Sequence, residues 1–266
     1  MRTGESIPYL VDSHAHLDFP DFDRDREEVL KRAEEVGIKL IINIGFDESS
    51  SHKSVEFAEK YPMIYSAVGI HPHDAKNASS GYLKVLEKLA GHSKVVALGE
   101  MGLDFYRDRS PRDVQRKVFR QQLQLAHEVG LPIIVHSRDS HEEVVKILEE
   151  EGVPPAGGVM HCFSGDVALA KKVLGMNMAV SIAGPVTYRG SSKLAQVAAF
   201  VPQEWLLIET DCPFLAPAPK RGKRNEPAYV SHVARQVASL RGTTPEKIGK
   251  VCLENTARLF SIDVEL

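Results

Sequence analysis

Asp12-Ser13-His14-Ala15-His16 places two imidazoles two residues apart at the end of an apolar run. In a β-strand, residues i and i+2 face the same side. His14 and His16 therefore present two nitrogen donors together, a pairing suited to a divalent metal. Taken alone, the pair fits two packed core histidines equally well. Other apolar runs end in the same manner: Val96-Ala-Leu-Gly in Glu100, Ile133-Ile-Val in His136, Gly158-Val-Met in His161, and Leu207-Ile-Glu-Thr in Asp211. One such group could be a satisfied core histidine or a buried carboxylate. Six of them, all imidazole or carboxylate and all at the same end of their runs, would be costly to bury without a cation. His14, His16, Glu100, His136, His161 and Asp211 are the expected metal ligands, and the chemistry they suit is metal-dependent hydrolysis.

The elements that must position these residues alternate regularly. Short runs rich in Val and Ile occupy Tyr9–His14, Lys39–Gly45, Ile64–Ile70, Lys94–Gly99, Pro132–His136, Gly157–His161, Met178–Ile182 and Trp205–Glu209. Near-continuous apolar runs of this kind are expected of parallel strands covered on both faces. Between them lie helical patterns at Arg26–Val36, Ser50–Lys60, Gly81–Leu89, Arg112–Val129, His141–Glu150, Asp166–Leu174 and Ser192–Phe200, and Pro227–Leu240 and Pro245–Phe260 close the chain. Pro111 before and Gly130 after the longest of these are ordinary helix punctuation. Eight such βα units predict a single TIM-type (β/α)8 barrel over residues 1–266, with its active site at the carboxyl ends of the strands. The competing architecture, an open doubly wound sheet, is disfavoured in its dinucleotide-binding form because no glycine-rich fingerprint follows the first strand.

The bulk composition is compatible with this. Among 266 residues, 43% are hydrophobic and 26% charged, with a net charge of −3, so no global basic field would recruit nucleic acid. Cys162, Cys212 and Cys252 are too few and too scattered for a disulfide framework, which points to a reducing, cytoplasmic setting. No apolar run reaches membrane-spanning length, and Met1 to Val11 lacks a long apolar stretch, so no secretory signal is expected there. A monomer is the expected state.

Several blocks together resemble one known family: Asp12-Ser-His-Ala-His-Leu-Asp18, Gly69-Ile-His-Pro-His73, Gly99-Glu-Met-Gly-Leu-Asp104, His136-Ser-Arg-Asp139, His161-Cys-Phe-Ser-Gly165, Glu209-Thr-Asp-Cys-Pro213 and Arg221-Gly-Lys-Arg-Asn-Glu-Pro227. They are similar to the signatures of TatD-type metal-dependent deoxyribonucleases, within the amidohydrolase barrel superfamily. The resemblance implies two divalent ions per chain, Mg, Mn, Co or Zn. His14, His16 and Asp211 would hold one ion, His136 and His161 the other, and Glu100 would bridge them. It further implies a nuclease acting on DNA, with RNA as an alternative, from the 3′ end of a single strand. Catalytic roles would fall to Glu100, to Asp211 as proton acceptor, and to His71, which would contact the scissile phosphate or protonate the leaving oxygen.

Charge balance agrees with an anionic substrate. Two divalent cations, less two carboxylates and one hydroxide, leave a residual of about +1. Lys220-Arg221-Gly-Lys223-Arg224 follows the eighth strand on the same barrel face and could bind backbone phosphates, or it could be a solvated loop. Arg138 could reach a phosphate or pair with Asp139. Glu209 could orient a ligand histidine, and Asp18 and Asp104 are equally ambiguous. Phe19, Phe105, Tyr106, Phe163 and Phe214 could stack on bases or merely pack under loops. Strand alternation points Cys162 away from the side that His161 faces. His52, His92, His127, His141 and His232 have the pattern of surface or packing residues. Relatives in the superfamily hydrolyse amides, lactones or aminoacyl esters, and an esterase or lactonase of that kind is the alternative function.

Overall fold

The computed structural model describes residues 6–264. Strands β1 Leu10–Ala15, β2 Ile38–Ile44, β3 Ile64–Val68, β4 Val95–Asp104, β5 Ile133–Arg138, β6 Gly158–Met160, β7 Met178–Ile182 and β8 Leu206–Ile208 form one parallel sheet in chain order. It closes where Ala15, at the end of β1, bridges in parallel to Cys212, just past β8. Helices α1 Arg26–Glu35, α2 Glu48–Lys60, α3 Tyr82–Ala90, α4 Arg112–Val129, α5 His141–Glu151, α6 Val167–Gly175, α7 Ser192–Phe200, α8 Val230–Arg241 and α9 Pro245–Leu259 cover the outside. The architecture is the expected (β/α)8 barrel.

The strand runs are legible because both faces are buried: in Ile38–Ile44 only Lys39 is exposed. Asn43 is the polar exception in that run. Fully buried, it accepts the Leu17 N–H at 2.6 Å and donates to Asp18 and to Ser54 of α2, so it fixes the chain just past His16. Helix α4 stops at Gly130, whose φ of 70° is the left-handed conformation that ends helices.

The boundaries near the ligands differ from expectation in an informative way. Strand β4 continues five residues beyond Gly99, because Glu100-Met-Gly-Leu-Asp104 is fully buried despite its two acids and its glycine. Strands β6 and β8 stop at Met160 and Ile208, so His161 and Asp211 sit on the turns that follow. Helix α2 begins at Glu48 rather than Ser50, since Asp47 and Ser50 form a reciprocal capping box. Two strands carry an extra residue at their ligands. Leu98 pairs with Ile133 and Met101 with Val135, while Asp12 pairs with Ile41 and Ala15 with Asn43. Such bulges redirect side chains next to active sites, and here they lie at Glu100 and at His14. At Gly102, where φ is 139°, a Cβ would collide with the His136 carbonyl, so β4 can press against β5 only with glycine there.

Candidate metal centre

The six expected ligands converge at the carboxyl ends of the strands. Barrel closure contributes directly, because the N–H of Asp211 donates to the His14 carbonyl and the N–H of His16 to that of Cys212, both at 2.9 Å. Asp211 is thereby carried to the two histidines of β1: its Oδ1 lies 3.6 Å from His16 Nε2 and 3.8 Å from His14 Nε2. The positive φ of Asp211, 57°, belongs to the turn that makes this approach.

Glu100 stands between two donor sets. Its Oε2 lies 3.3 Å from His14 Nε2 and 3.8 Å from His16 Nε2. Its Oε1 lies 2.7 Å from His161 Nε2, 2.8 Å from His136 Nδ1 and 3.5 Å from His71 Nε2. Potential ligand atoms cluster as His14–His16–Asp211, His14–Glu100–His161 and His71–Glu100–His136.

The far side of most rings is held by protein. His16 shares its Nδ1 hydrogen with the Ile44 carbonyl at 3.1 Å. His161 Nδ1 meets Glu209 at 3.2 Å, and the same carboxylate oxygen accepts the Cys162 N–H at 2.6 Å. His136 Nε2 meets Asp104 at 3.1 Å, and His73 Nε2 reaches the same oxygen at 3.0 Å. Glu209 and Asp104 thus hold the rings of His161 and His136, a role left open for both by the sequence. His73 contacts Asp104 rather than the centre.

The donor set fits a cation. Both ring nitrogens of His14 are buried without a hydrogen-bond partner, as is Oε2 of Glu209. An orphaned imidazole among carboxylates is costly unless something binds its lone pair. Electrostatics agree. Burial pushes the Glu100 carboxyl up, but His161, His71 and His14 outweigh it and hold it well below the usual range. Burial likewise disfavours a charged His161, yet Glu100 and Glu209 hold that imidazole well above its ordinary value. The carboxylates therefore draw positive charge into the cluster, and a divalent ion supplies such charge directly. His14 and His71 are exceptions: burial lowers both, with His161 adding at His14 and His136 at His71 against the pull of Glu100, and His71 falls to about 4.

Asp12 is a structural element that sequence reasoning did not single out. Fully buried, it accepts the Thr210 N–H at 2.8 Å and the Thr210 hydroxyl, tying β1 to the turn that carries Asp211. Burial pushes it up to about 8. An acid two residues before His14 in an otherwise apolar strand was the available signal.

The proposed substrate contacts divide. The Arg138 guanidinium lies 4.4 Å over the Tyr106 ring and, among the described residues, forms no ion pair with Asp139. Lys220 sits over Tyr229 and Arg221 over Tyr188, while Lys223 lines a groove between the loop after β8 and helices α1 and α8. Arg224 was expected to meet phosphate, but it makes a two-pronged ion pair with Asp25, 2.7 Å at each prong, and its charge is already matched. The expectation for Cys162 also needs correction. Strand β6 ends before it and its φ is 41°, so strand alternation does not apply there, and burial, with Asp211, Glu209 and Glu100 adding, pushes its thiol well above the ordinary value. Cys212 and Cys252 are buried thiols. His141, expected to be an ordinary packing residue, shares hydrogen bonds with Ser137 and Ser164.

Comparison with known proteins places this arrangement among relatives. The family model for TatD related DNase matches residues 11–261. The uncharacterized metal-dependent hydrolase YabD of Bacillus subtilis is 48% identical over 96% of this chain and 100% of its own length. The 3'-5' ssDNA/RNA exonuclease TatD of Cronobacter sakazakii is 35% identical over 94% of this chain and 97% of its own. The crystal structure of YJJV, a TATD homolog from Escherichia coli, superposes with a TM-score of 0.91 at 32% identity, covering 97% of this chain and 100% of that one. No helix among the described residues is long and apolar enough to cross a membrane.

Proposed function

This chain belongs to the TatD-related DNase family of metal-dependent hydrolases, and from that premise we propose that it is a two-metal nuclease removing nucleotides from the 3′ end of single-stranded DNA, with RNA as a second substrate. The observation that carries the reading is the division of Glu100: one oxygen faces His14 and His16, the other His136 and His161. With Asp211 beside the first pair, these residues would hold two divalent cations, one on each side of Glu100. Such a pair lowers the pKa of a bound water and neutralises charge on a phosphodiester.

The chain's own residues supply the rest. Asp211, adjacent to both β1 histidines, accepts the proton of the attacking water. His71, held neutral near pH 7 and aimed at Glu100, contacts the scissile phosphate or carries the proton to the leaving oxygen. Asp104 and Glu209 keep His136 and His161 in the orientation that points the opposite nitrogen at Glu100. Arg138, Lys220, Arg221 and Lys223 are the candidate phosphate contacts at the barrel mouth.

The test is hydrolysis of 3′- or 5′-labelled single-stranded DNA by metal-stripped protein, with Mg²⁺ or Mn²⁺ restored and a Glu100→Ala variant alongside. Stepwise shortening from the 3′ end that requires metal and is absent in the variant is the expected result. No shortening, in protein that still binds two ions, would overturn the nuclease reading and favour a small ester or lactone.

A further inference from the structure

Two exposed aromatic platforms stand at the barrel mouth on opposite sides of the ligand cluster. Among the described residues, the large apolar side chains left exposed are Tyr106 at 56%, Phe214 at 47% and Phe200 at 39%. Phe200 ends α7, just before β8, and so belongs to the opposite end of the barrel. The other two are at the centre. Phe214 follows Asp211 by three residues, and its ring meets His16 at 6.3 Å and Phe19 at 5.4 Å, both edge-on, with Phe46 behind Phe19 at 5.1 Å. Its position is fixed: its N–H donates to the Asp211 carbonyl, and buried Asn225 binds the carbonyls of Phe214 and Thr210 at 2.6 and 2.8 Å.

Tyr106 is tied to the other side of the centre. Its N–H donates at 3.1 Å to Asp104, the residue that holds His136. Arg138 lies over its ring at 4.4 Å and Arg107 at 5.5 Å, giving an exposed stack of aromatic and guanidinium planes. Phe214 belongs to the β8–β1 edge of the ring of strands and the Tyr106–Arg138 stack to the β4–β5 edge, half a barrel apart. A singly exposed aromatic needs no partner in itself, but these two flank a centre suited to an anionic substrate, and a ligand that meets both rings and centre carries a π-face and negative charge. A nucleotide has both, and bases stack on aromatic rings and on guanidinium planes.

We infer that Phe214 and the Tyr106–Arg138 stack are nucleobase platforms flanking the scissile phosphate, so that a single strand crosses the barrel mouth from the β8–β1 edge to the β4–β5 edge over the ligand cluster. This rests on the nuclease reading for the identity of the strand, and it adds how that strand is selected. A paired base is covered above and below by its neighbours and cannot offer its face, so the platforms admit unpaired nucleotides regardless of sequence.

The experiment uses short single-stranded DNA with a tetrahydrofuran abasic unit on one or the other side of the phosphate to be cut. Wild-type, Phe214→Ala and Tyr106→Ala proteins are compared, and two ions per chain are verified by elemental analysis in each. The loss of one stacked base is expected to raise KM about tenfold in the wild type. Phe214→Ala should abolish the penalty on one side only and Tyr106→Ala on the other, with Phe214→Trp restoring the first. Penalties identical in wild type and variants would overturn the inference while leaving the nuclease reading intact. The same oligonucleotides in phosphorothioate form, followed by fluorescence anisotropy, separate the two ideas if no cleavage occurs. Binding that keeps this pattern would uphold the platforms against a failed nuclease reading, and binding indifferent to both aromatics would overturn them.

Discussion

Asp104 accepts from Nε2 of His136 at 3.1 Å, which turns Nδ1 of the same ring toward Glu100 at 2.8 Å. The carboxylate also receives the backbone N–H groups of Tyr106 and Arg107 and the ring of His73, and His136 and His73 outweigh its burial to hold it well below the ordinary carboxylate range. It is a positioning residue for one half of the centre. Asp104→Asn should lower metal affinity and activity by roughly 10–100-fold. The specific expectation is uneven loss: an ion at the proposed His136–His161 site leaves at lower chelator concentration than one at the proposed His14–His16–Asp211 site. Metal stoichiometry along an EDTA titration checks this, and simultaneous loss of both ions would refute it.

The orphaned nitrogens of His14 make a second expectation. Binding a cation to the folded state alone stabilises it in proportion to the logarithm of free metal over Kd, about 2.7 kcal/mol at a hundredfold excess. For a chain of this size that corresponds to roughly 5–10 °C in Tm. Restoring Mn²⁺ to stripped protein should raise Tm by that order. His14→Ala should remove most of the increase, because it deletes a donor from two of the three ligand clusters. Differential scanning calorimetry at fixed free metal decides it.

These residues also mark how far the sequence could be followed. The strands were legible because a barrel wall is buried on both faces and selects continuous Val and Ile. The six candidate ligands were legible as one cluster because each ionisable group interrupts or ends such a run. What escaped was conformation at those ends. The stretch Glu100–Asp104 has the composition of a turn, two acids and a glycine in five residues, yet it continues β4 because its acids are matched by His136, His161 and His73. Cys162 defeated the alternation rule because β6 had already ended and the chain there takes a positive φ. The capture of Arg224 by Asp25, 199 residues away, is a tertiary event that no local pattern encodes.

Asp12 offers a test of how the ligand turn is held. Its two oxygens accept the Thr210 N–H and hydroxyl, and with burial raising it to about 8 it is largely protonated near neutrality. Asparagine reproduces that shape: its oxygen accepts the Thr210 N–H, and its amide N–H takes the place of the acid proton facing the Thr210 oxygen, whose hydroxyl hydrogen turns aside. Asp12→Asn should therefore change stability by less than about 1 kcal/mol. Asp12→Ala strands a buried N–H and hydroxyl and should cost about 2–4 kcal/mol. It should also raise the metal Kd, since Asp211 is the residue next to Thr210. Urea denaturation of the two variants in the absence of metal isolates the structural part. Equal destabilisation by Asn and Ala would contradict the proposed bonding.

Arg224 and Asp25 give the last expectation, with a defined pH dependence. The Arg224 hydrogen bonds hold the Asp25 carboxyl below its ordinary range, with burial opposing and Arg32 adding to the effect. A carboxyl lowered on folding contributes stability above its unfolded pKa of about 4, and that contribution is lost as pH falls through the folded value. Both partners are about one-third exposed, so solvent screens the pair, and its worth is on the order of 1 kcal/mol despite the two-pronged geometry. Asp25→Asn should be less stable than wild type by that amount at pH 7. The gap should narrow as pH falls below about 4, close only once pH has passed the lowered folded value, and shrink in 1 M salt. Because the pair anchors the loop after β8 to the residue that caps α1, the variant should also loosen the placement of Lys220, Arg221 and Lys223, raising KM for single-stranded DNA more than it lowers kcat. Paired denaturation curves at pH 3 and pH 7 test the first half, and steady-state kinetics on one oligonucleotide test the second. A gap that persists unchanged at pH 3 would mean that the aspartate acts through packing and not through its charge.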